Sequence, residues 1–127
     1  MDLRPLHPRA VIFTDNTGVQ HRIVCGSLRN TGSGWFVVND AVNEPSDLSI
    51  GTVTASTIQV TYPACTQNET FLAVPNAVFA GQHTVSFGGD PGFSTAAIRG
   101  RVDGGVFNPL TWSHPTAAIR VYGLFRV

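Results

Sequence analysis

Histidine, carboxylate, serine and cysteine are the residues of this 127-residue chain that could act as acids, bases, nucleophiles or metal ligands. The four histidines, His7, His21, His83 and His114, nowhere stand at the short spacing that puts two ligands on one helix face. His21 and His83 fall on apolar strand faces, where a hydrogen-bonded structural imidazole is expected. Asp15, Asp40, Glu44, Asp47, Glu69, Asp90 and Asp103 lie mostly in loops, where short carboxylates cap turn backbone. Glycoside hydrolysis would need two of them facing each other across a cleft, and a small sandwich has little room for one. Ser113, His114 and Asp103 are the residue types of a hydrolase triad, but no Gly-x-Ser-x-Gly elbow is present. Adjacent Ser and His on a strand would also point to opposite faces. Gly32-Ser33-Gly34 and Gly88-Gly89 lack the strand-to-helix setting of phosphate loops and read as turns. The expectation is a non-enzymatic protein with no catalytic residue, metal or cofactor.

Binding chemistry has more material. Arg99, Arg101, Arg120 and Arg126 would form a basic stripe if the last two long strands were neighbours. Trp35 and Trp112, in or beside loops, are candidate ligand-stacking residues for a sugar face. Arg and Tyr are also what protein interfaces collect, and an intersubunit surface is the preferred reading. All eight basic residues are Arg, charged residues make up 13%, and the formal net charge is +0. The usual charged share is about 25%. Zero net charge argues against nucleic acid held by bulk charge and favours self-association. No apolar run approaches the roughly 18 residues of a spanning helix, and Met1 to Ala10 has no apolar signal-peptide core, so no membrane insertion is expected. Cys25 and Cys65 end apolar runs, which predicts two buried free thiols, with a single bridge as the alternative.

The elements that must position these groups are strands. Residues 1–9 contain Pro5 and Pro8 and read as an extended arm, with Leu3, Pro5, Leu6 and Pro8 available to lie on another surface. Residues 10–127 read as one domain. Ala10 to Thr14 and Val19 to Cys25 form a hairpin around Asp15-Asn16-Thr17-Gly18, with Gly18 at positive φ. Gly26 to Gly34 reads as a loop, Trp35 to Asn39 as a strand, Asp40 to Asp47 as a loop, and Leu48 to Thr54 as a strand bulged at Gly51. Ser56 to Tyr62 alternates, with Ile58, Val60 and Tyr62 inward. Glu69 to Val74 is a strand stopped by Pro75, Val78 to Gly81 is ambiguous, and His83 to Phe87 is a strand followed by a Gly88-to-Gly92 turn. Ser94 to Val102 is a strand, and Asp103 to Pro115 is a loop whose Phe107 and Trp112 fold back on the core. No stretch of ten residues has a helical apolar period. Eight or nine strands at roughly ten-residue spacing predict an all-β, antiparallel, jelly-roll-like β-sandwich, with a closed barrel as the alternative.

The last stretch, Ala117 to Val127, is two-faced. Ile119, Val121, Phe125 and Val127 make an apolar side suited to the core of a central strand. Arg120, Tyr122, Leu124 and Arg126 on the other side are too apolar for open solvent and too charged for a core, and are the candidate assembly interface.

The runs STIQVTYPA (Ser56 to Ala64), GGVFNPLTW (Gly104 to Trp112) and IRVYGLFRV (Ile119 to Val127) resemble small modules of tailed-bacteriophage virion proteins, of the minor tail, fibre-tip or capsid-decoration type found in phages of actinobacterial hosts. The resemblance covers about residues 35–127. It implies a structural protein without cofactor or chemistry, assembled in the host cytoplasm into a symmetric homo-oligomer, a trimer, on the virion. Its partners would be copies of itself, tail or major capsid protein, and, in a carbohydrate- or receptor-binding version, a host surface glycan. A small cell-wall hydrolase is the remaining alternative.

Overall fold

The computed structural model describes residues 11–38 and 48–127, with the side chains of Val11, Asn68 and Glu69 left out. In chain order these form β1 (Val11–Thr14), β2 (Gln20–Asn30), β3 (Trp35–Val38), β4 (Ser49–Val53), β5 (Ile58–Thr61), β6 (Gln67–Pro75), α1 (Ala77–Gln82), β7 (Val85–Pro91), β8 (Thr95–Val102), β9 (Gly105–Val106) and β10 (Ile119–Arg126). Two antiparallel sheets result. One runs β1-β2-β10-β6, with β3 also paired to β2; the other runs β4-β5-β8-β7, with β9 also paired to β8. The chain changes sheet after β3, β5, β6 and β9, and three of the eight strand pairings among the described residues, β2 with β10, β10 with β6 and β5 with β8, join strands distant in sequence.

The C-terminal strand is central, as its apolar alternation predicts. β10 pairs with β2 on one side and β6 on the other. Ile119, Val121 and Phe125 are buried among Val24, Leu28, Ile58, Val60, Ala73, Ala96 and Ile98. Each such aliphatic or aromatic side chain contributes about 1.5–3 kcal/mol on burial. Across the sandwich the Phe125 ring stacks on Tyr62 at 4.6 Å, and the Tyr62 hydroxyl lies 2.7 Å from the Gly92 carbonyl oxygen and 2.9 Å from that of Thr95. A buried phenol is thereby given an acceptor. Gly123 leaves room for the Phe125 ring, since a Cβ there would meet Phe125 Cζ at 2.6 Å.

The hairpin β1–β2 forms around the expected turn. Asp15 Oδ1 accepts from the Thr17 backbone N–H at 2.8 Å, and Gly18 takes φ +88°. The ladder of β4 and β5 is irregular between Ile50 and Val53, at the expected bulge around Gly51. Phe107 is buried and Trp112 packs against the core, so the loop after β9 does fold back.

The structure corrects several sequence readings. β2 continues to Asn30, through most of the expected Gly26-to-Gly34 loop, because Gly26, Ser27 and Leu28 pair with β10 and their neighbours with β3. The expected Gly88-to-Gly92 turn is mostly strand: Gly88, Gly89, Asp90 and Pro91 pair with β8. Gly89 is a packing residue there, since a Cβ would collide with the Phe71 ring from the other sheet. Residues 77–82 form a single helical turn and a half. Asn76 starts it by accepting the Phe79 N–H at 3.0 Å, a side-chain cap on an otherwise orphan donor. The ten strands of the described residues exceed the eight or nine expected because β9 is too short to carry a pattern.

Candidate assembly interface

The alternation of β10 places the four residues of its second face on the outer surface of their sheet. In register, Arg120 lies between Ser27 of β2 and Val74 of β6, Tyr122 between Cys25 and Leu72, and Leu124 between Ile23 and Thr70. Directly opposed side chains in such ladders sit about 4.5–5.5 Å apart at Cβ, so these rows are contiguous. Tyr122 is 38% exposed, Leu72 51%, Val74 38%, Ile23 39% and Phe36, farther along β2's edge on β3, 41%. Contiguous exposed apolar side chains of this kind mark interaction surfaces on soluble proteins. Arg120 is exposed, while Leu124 and Arg126 are half-buried. Leu3, Pro5, Leu6 and Pro8, expected to contribute from the arm, lie outside the described residues.

Sequence reasoning found the β10 part of this face and missed the flanks. Alternation along β2 puts Ile23 on the same side as His21 and Cys25 but does not say which side is the core. The register shows that Val24 carries the core side, opposite Gly123, and Ile23 the outer side, opposite Leu124. Leu72 and Val74 were not singled out. The signal is the uninterrupted run Phe71-Leu72-Ala73-Val74, in which both faces of a strand are apolar. One face covers the core through Phe71 and Ala73, which leaves the other looking for a partner.

His21, Asp15, Asp103, His83 and His114 are held in local hydrogen bonds, whereas His7, Asp40, Glu44 and Asp47 lie outside the described residues. His21 is buried, stacks on Phe13 at 5.0 Å, and shares a 2.8 Å hydrogen bond between its Nε2 and Asp15 Oδ2. The Thr17 hydroxyl, then His21 and the Val19 N–H, hold the Asp15 carboxyl far below the usual carboxylate range. Asp103, the supposed acid of a triad, hydrogen-bonds His83 Nδ1 at 2.8 Å and the Thr84 N–H at 2.9 Å, and both lower its pKa, His83 first. His114 has other partners. Its Nδ1 accepts the N–H groups of Thr116 and Ala117 at 3.1 and 3.0 Å, which assigns the proton to Nε2, 2.8 Å from Gln82 Oε1. Neither imidazole nitrogen of His114 is turned to Ser113 or Asp103.

Both cysteines are free thiols, but only Cys65 is buried as expected; Cys25, on the outer side of β2 opposite Tyr122, is half-buried. Cys65 is buried, and burial pushes its thiol pKa up; a reactive cysteine needs the opposite shift. Among the described residues no three His, Cys, Asp or Glu side chains cluster as metal ligands.

Trp35 and Trp112 are brought together, but by packing. Their rings stack at 5.5 Å, Trp112 also stacks on Phe79 at 4.7 Å, and Trp35 Nε1 donates to the Pro109 carbonyl at 2.8 Å. The Trp112 ring is engaged by four others, those of Trp35, Phe79, Phe107 and His114. The expected arginine stripe does not form. Arg99 and Arg101 belong to β8 in one sheet, Arg120 and Arg126 to β10 in the other.

Fold and surface thus define an all-β protein of two antiparallel sheets, one of which has an apolar outer face. Comparison with family models, with curated proteins and with solved structures finds no match to this chain.

Proposed function

We propose that this protein is a non-enzymatic structural component of a bacteriophage virion, a homo-oligomeric β-sandwich, trimeric, that attaches to the tail or fibre or decorates the capsid. The observation that carries the assembly part is the outer face of the β2-β10-β6 sheet, where Tyr122, Leu124, Leu72, Val74 and Ile23 form one apolar surface. Low charge and zero net charge support self-association in the same direction. The virion part is carried by the resemblance of Ser56 to Ala64, Gly104 to Trp112 and Ile119 to Val127 to phage tail and decoration modules. A jelly-roll-like topology is supported by the repeated change of sheet along the chain and by the pairing of β2 with β10 and of β5 with β8.

Gold-labelled antibody on purified particles, with light scattering on the isolated protein, tests the reading. Label at a discrete symmetric location, together with an oligomer in solution, supports it. A monomer at micromolar concentration with no label on particles refutes it.

A further inference from the structure

The opposite sheet carries a second surface feature, independent of the assembly face. On the outer side of β7 and β8 three rows face solvent: Asp90 beside Ala97, Gly88 beside Arg99, and Ser86 beside Arg101. Val106 of β9 flanks Arg101 on its other side. The small residues Gly88 and Ala97 form the floor of an open groove of about 560 Å³, with Ser56, Ser86, Asp90, Arg99, Arg101 and Val106 around it.

Gly88 is the informative position. Three glycines of these two strands can be compared. A Cβ at Gly89 would strike the Phe71 ring and one at Gly100 the Phe87 ring, so the core requires both glycines. A Cβ at Gly88 would meet nothing within 4 Å, and its φ lies outside the left-handed region. Neither packing nor backbone conformation accounts for glycine there. Glycine inside a strand weakens it, and one typical reason to find it is close approach by a ligand.

The charges around the floor are arranged unequally. Arg99 Nη1 leans to Asp90 Oδ2 at 3.4 Å, so these two largely compensate each other. Arg101, on the far side of Gly88, makes no side-chain hydrogen bond or ion pair among the described residues and is exposed. The groove therefore offers one uncompensated guanidinium, two serine hydroxyls and a carboxylate that can accept hydroxyl protons.

The geometry points to a binding site for an acidic saccharide: the sugar carboxylate meets Arg101, its hydroxyls meet Ser86, Ser56 and Asp90, and its ring lies over Gly88. The absence of an aromatic platform makes the contact polar and salt-sensitive. This site goes beyond the assembly reading and does not depend on it, because the two lie on different sheets.

The test is a titration of the ¹⁵N-labelled full chain with trigalacturonate, with the neutral galactose trimer as control, on wild type, Gly88→Val and Arg101→Gln. Expected are saturable shifts of the groove amides with trigalacturonate alone, weakening as salt is raised. Arg101→Gln should weaken the affinity about tenfold or more. Gly88→Val should abolish binding while melting at or above the wild-type temperature and sedimenting as wild type does. No saturable shift in wild type, equal binding of the neutral trimer, unchanged binding by either variant, or a Gly88→Val protein that melts well below wild type would each overturn the proposal.

Discussion

Phe125 and Tyr122 stand three positions apart on β10, on opposite faces, and replacing each by alanine separates folding from assembly. Phe125 is fully buried, stacks on Tyr62 and fills the space beside Gly123. Phe125→Ala should cost about 3–5 kcal/mol through lost burial and the cavity left behind. That is a large share of the roughly 5–15 kcal/mol that holds a domain folded. At about 3–6 °C per kcal/mol for a chain of this size, melting should fall by roughly 10–25 °C. Tyr122 lies on the outer face of the sheet and is 38% exposed, so Tyr122→Ala should cost the isolated fold no more than about 1 kcal/mol. Its effect should appear in association, because a folded oligomer melts higher as protein concentration rises. Thermal melts by circular dichroism over a hundredfold concentration range read both effects. Phe125→Ala should lower the melting temperature at every concentration. Tyr122→Ala should flatten the concentration dependence and leave the dilute-limit temperature almost unchanged. Equal losses in the dilute limit would refute the assignment of the two faces.

Other substitutions probe the packing and the charges. Val121→Asp places an unpaired carboxylate in the centre of the buried face and should cost several kcal/mol, enough to drive the chain into inclusion bodies or a molten state by near-UV circular dichroism. Gly89→Ala must displace the Phe71 ring and should destabilise by about 1–3 kcal/mol in urea titration. Asn76→Ala removes the only side-chain cap of α1 and should cost about 0.5–2 kcal/mol by the same assay. Asp15 and Asp103 both have carboxyl pKa values lowered in the folded state, so their contribution is present above the ordinary carboxylate pKa of about 3.9 and is lost as pH falls further towards their folded values. Stability measured from pH 5 to pH 2 should fall, and should fall less steeply in an Asp15→Asn, Asp103→Asn double variant. Burial pushes the Tyr62 phenol up to about 12, so its contribution is complete below pH 10 and is lost between about pH 10 and 12; Tyr62→Phe should reduce that alkaline loss.

Period-two alternation made much of this fold legible. Ile58, Val60 and Tyr62 declare their core face because Gln59 and Thr61 between them are polar, and Ile119, Val121 and Phe125 declare theirs because Arg120 and Arg126 mark the other side. The central place of β10 followed from the same pattern. What stayed hidden depends on partners distant in sequence. Gly88 to Pro91 looks like a turn because glycine and proline punctuate chains locally, and only the Phe71 ring arriving from the other sheet explains a strand through Gly89. The helix after Asn76 is too short to show a period. The Trp35–Trp112 stack joins residues on a strand and a late loop, so composition offered two aromatic platforms where packing made one internal cluster. For the candidate interface, β10 supplied its own clue, whereas Leu72, Val74 and Ile23 needed the register to turn three apolar strands into one surface.

The most direct test of that surface is sedimentation velocity on wild type and Leu72→Asp. Leu72 is the most exposed of the apolar residues flanking Tyr122, at 51%, so an aspartate there should leave the fold intact and place a charge in any interface that covers it. A wild-type oligomer, with a trimer as the expected species, and a folded Leu72→Asp monomer at the same micromolar concentration are the predicted result. A wild-type monomer, or a Leu72→Asp protein that sediments as the wild-type oligomer does, would contradict it.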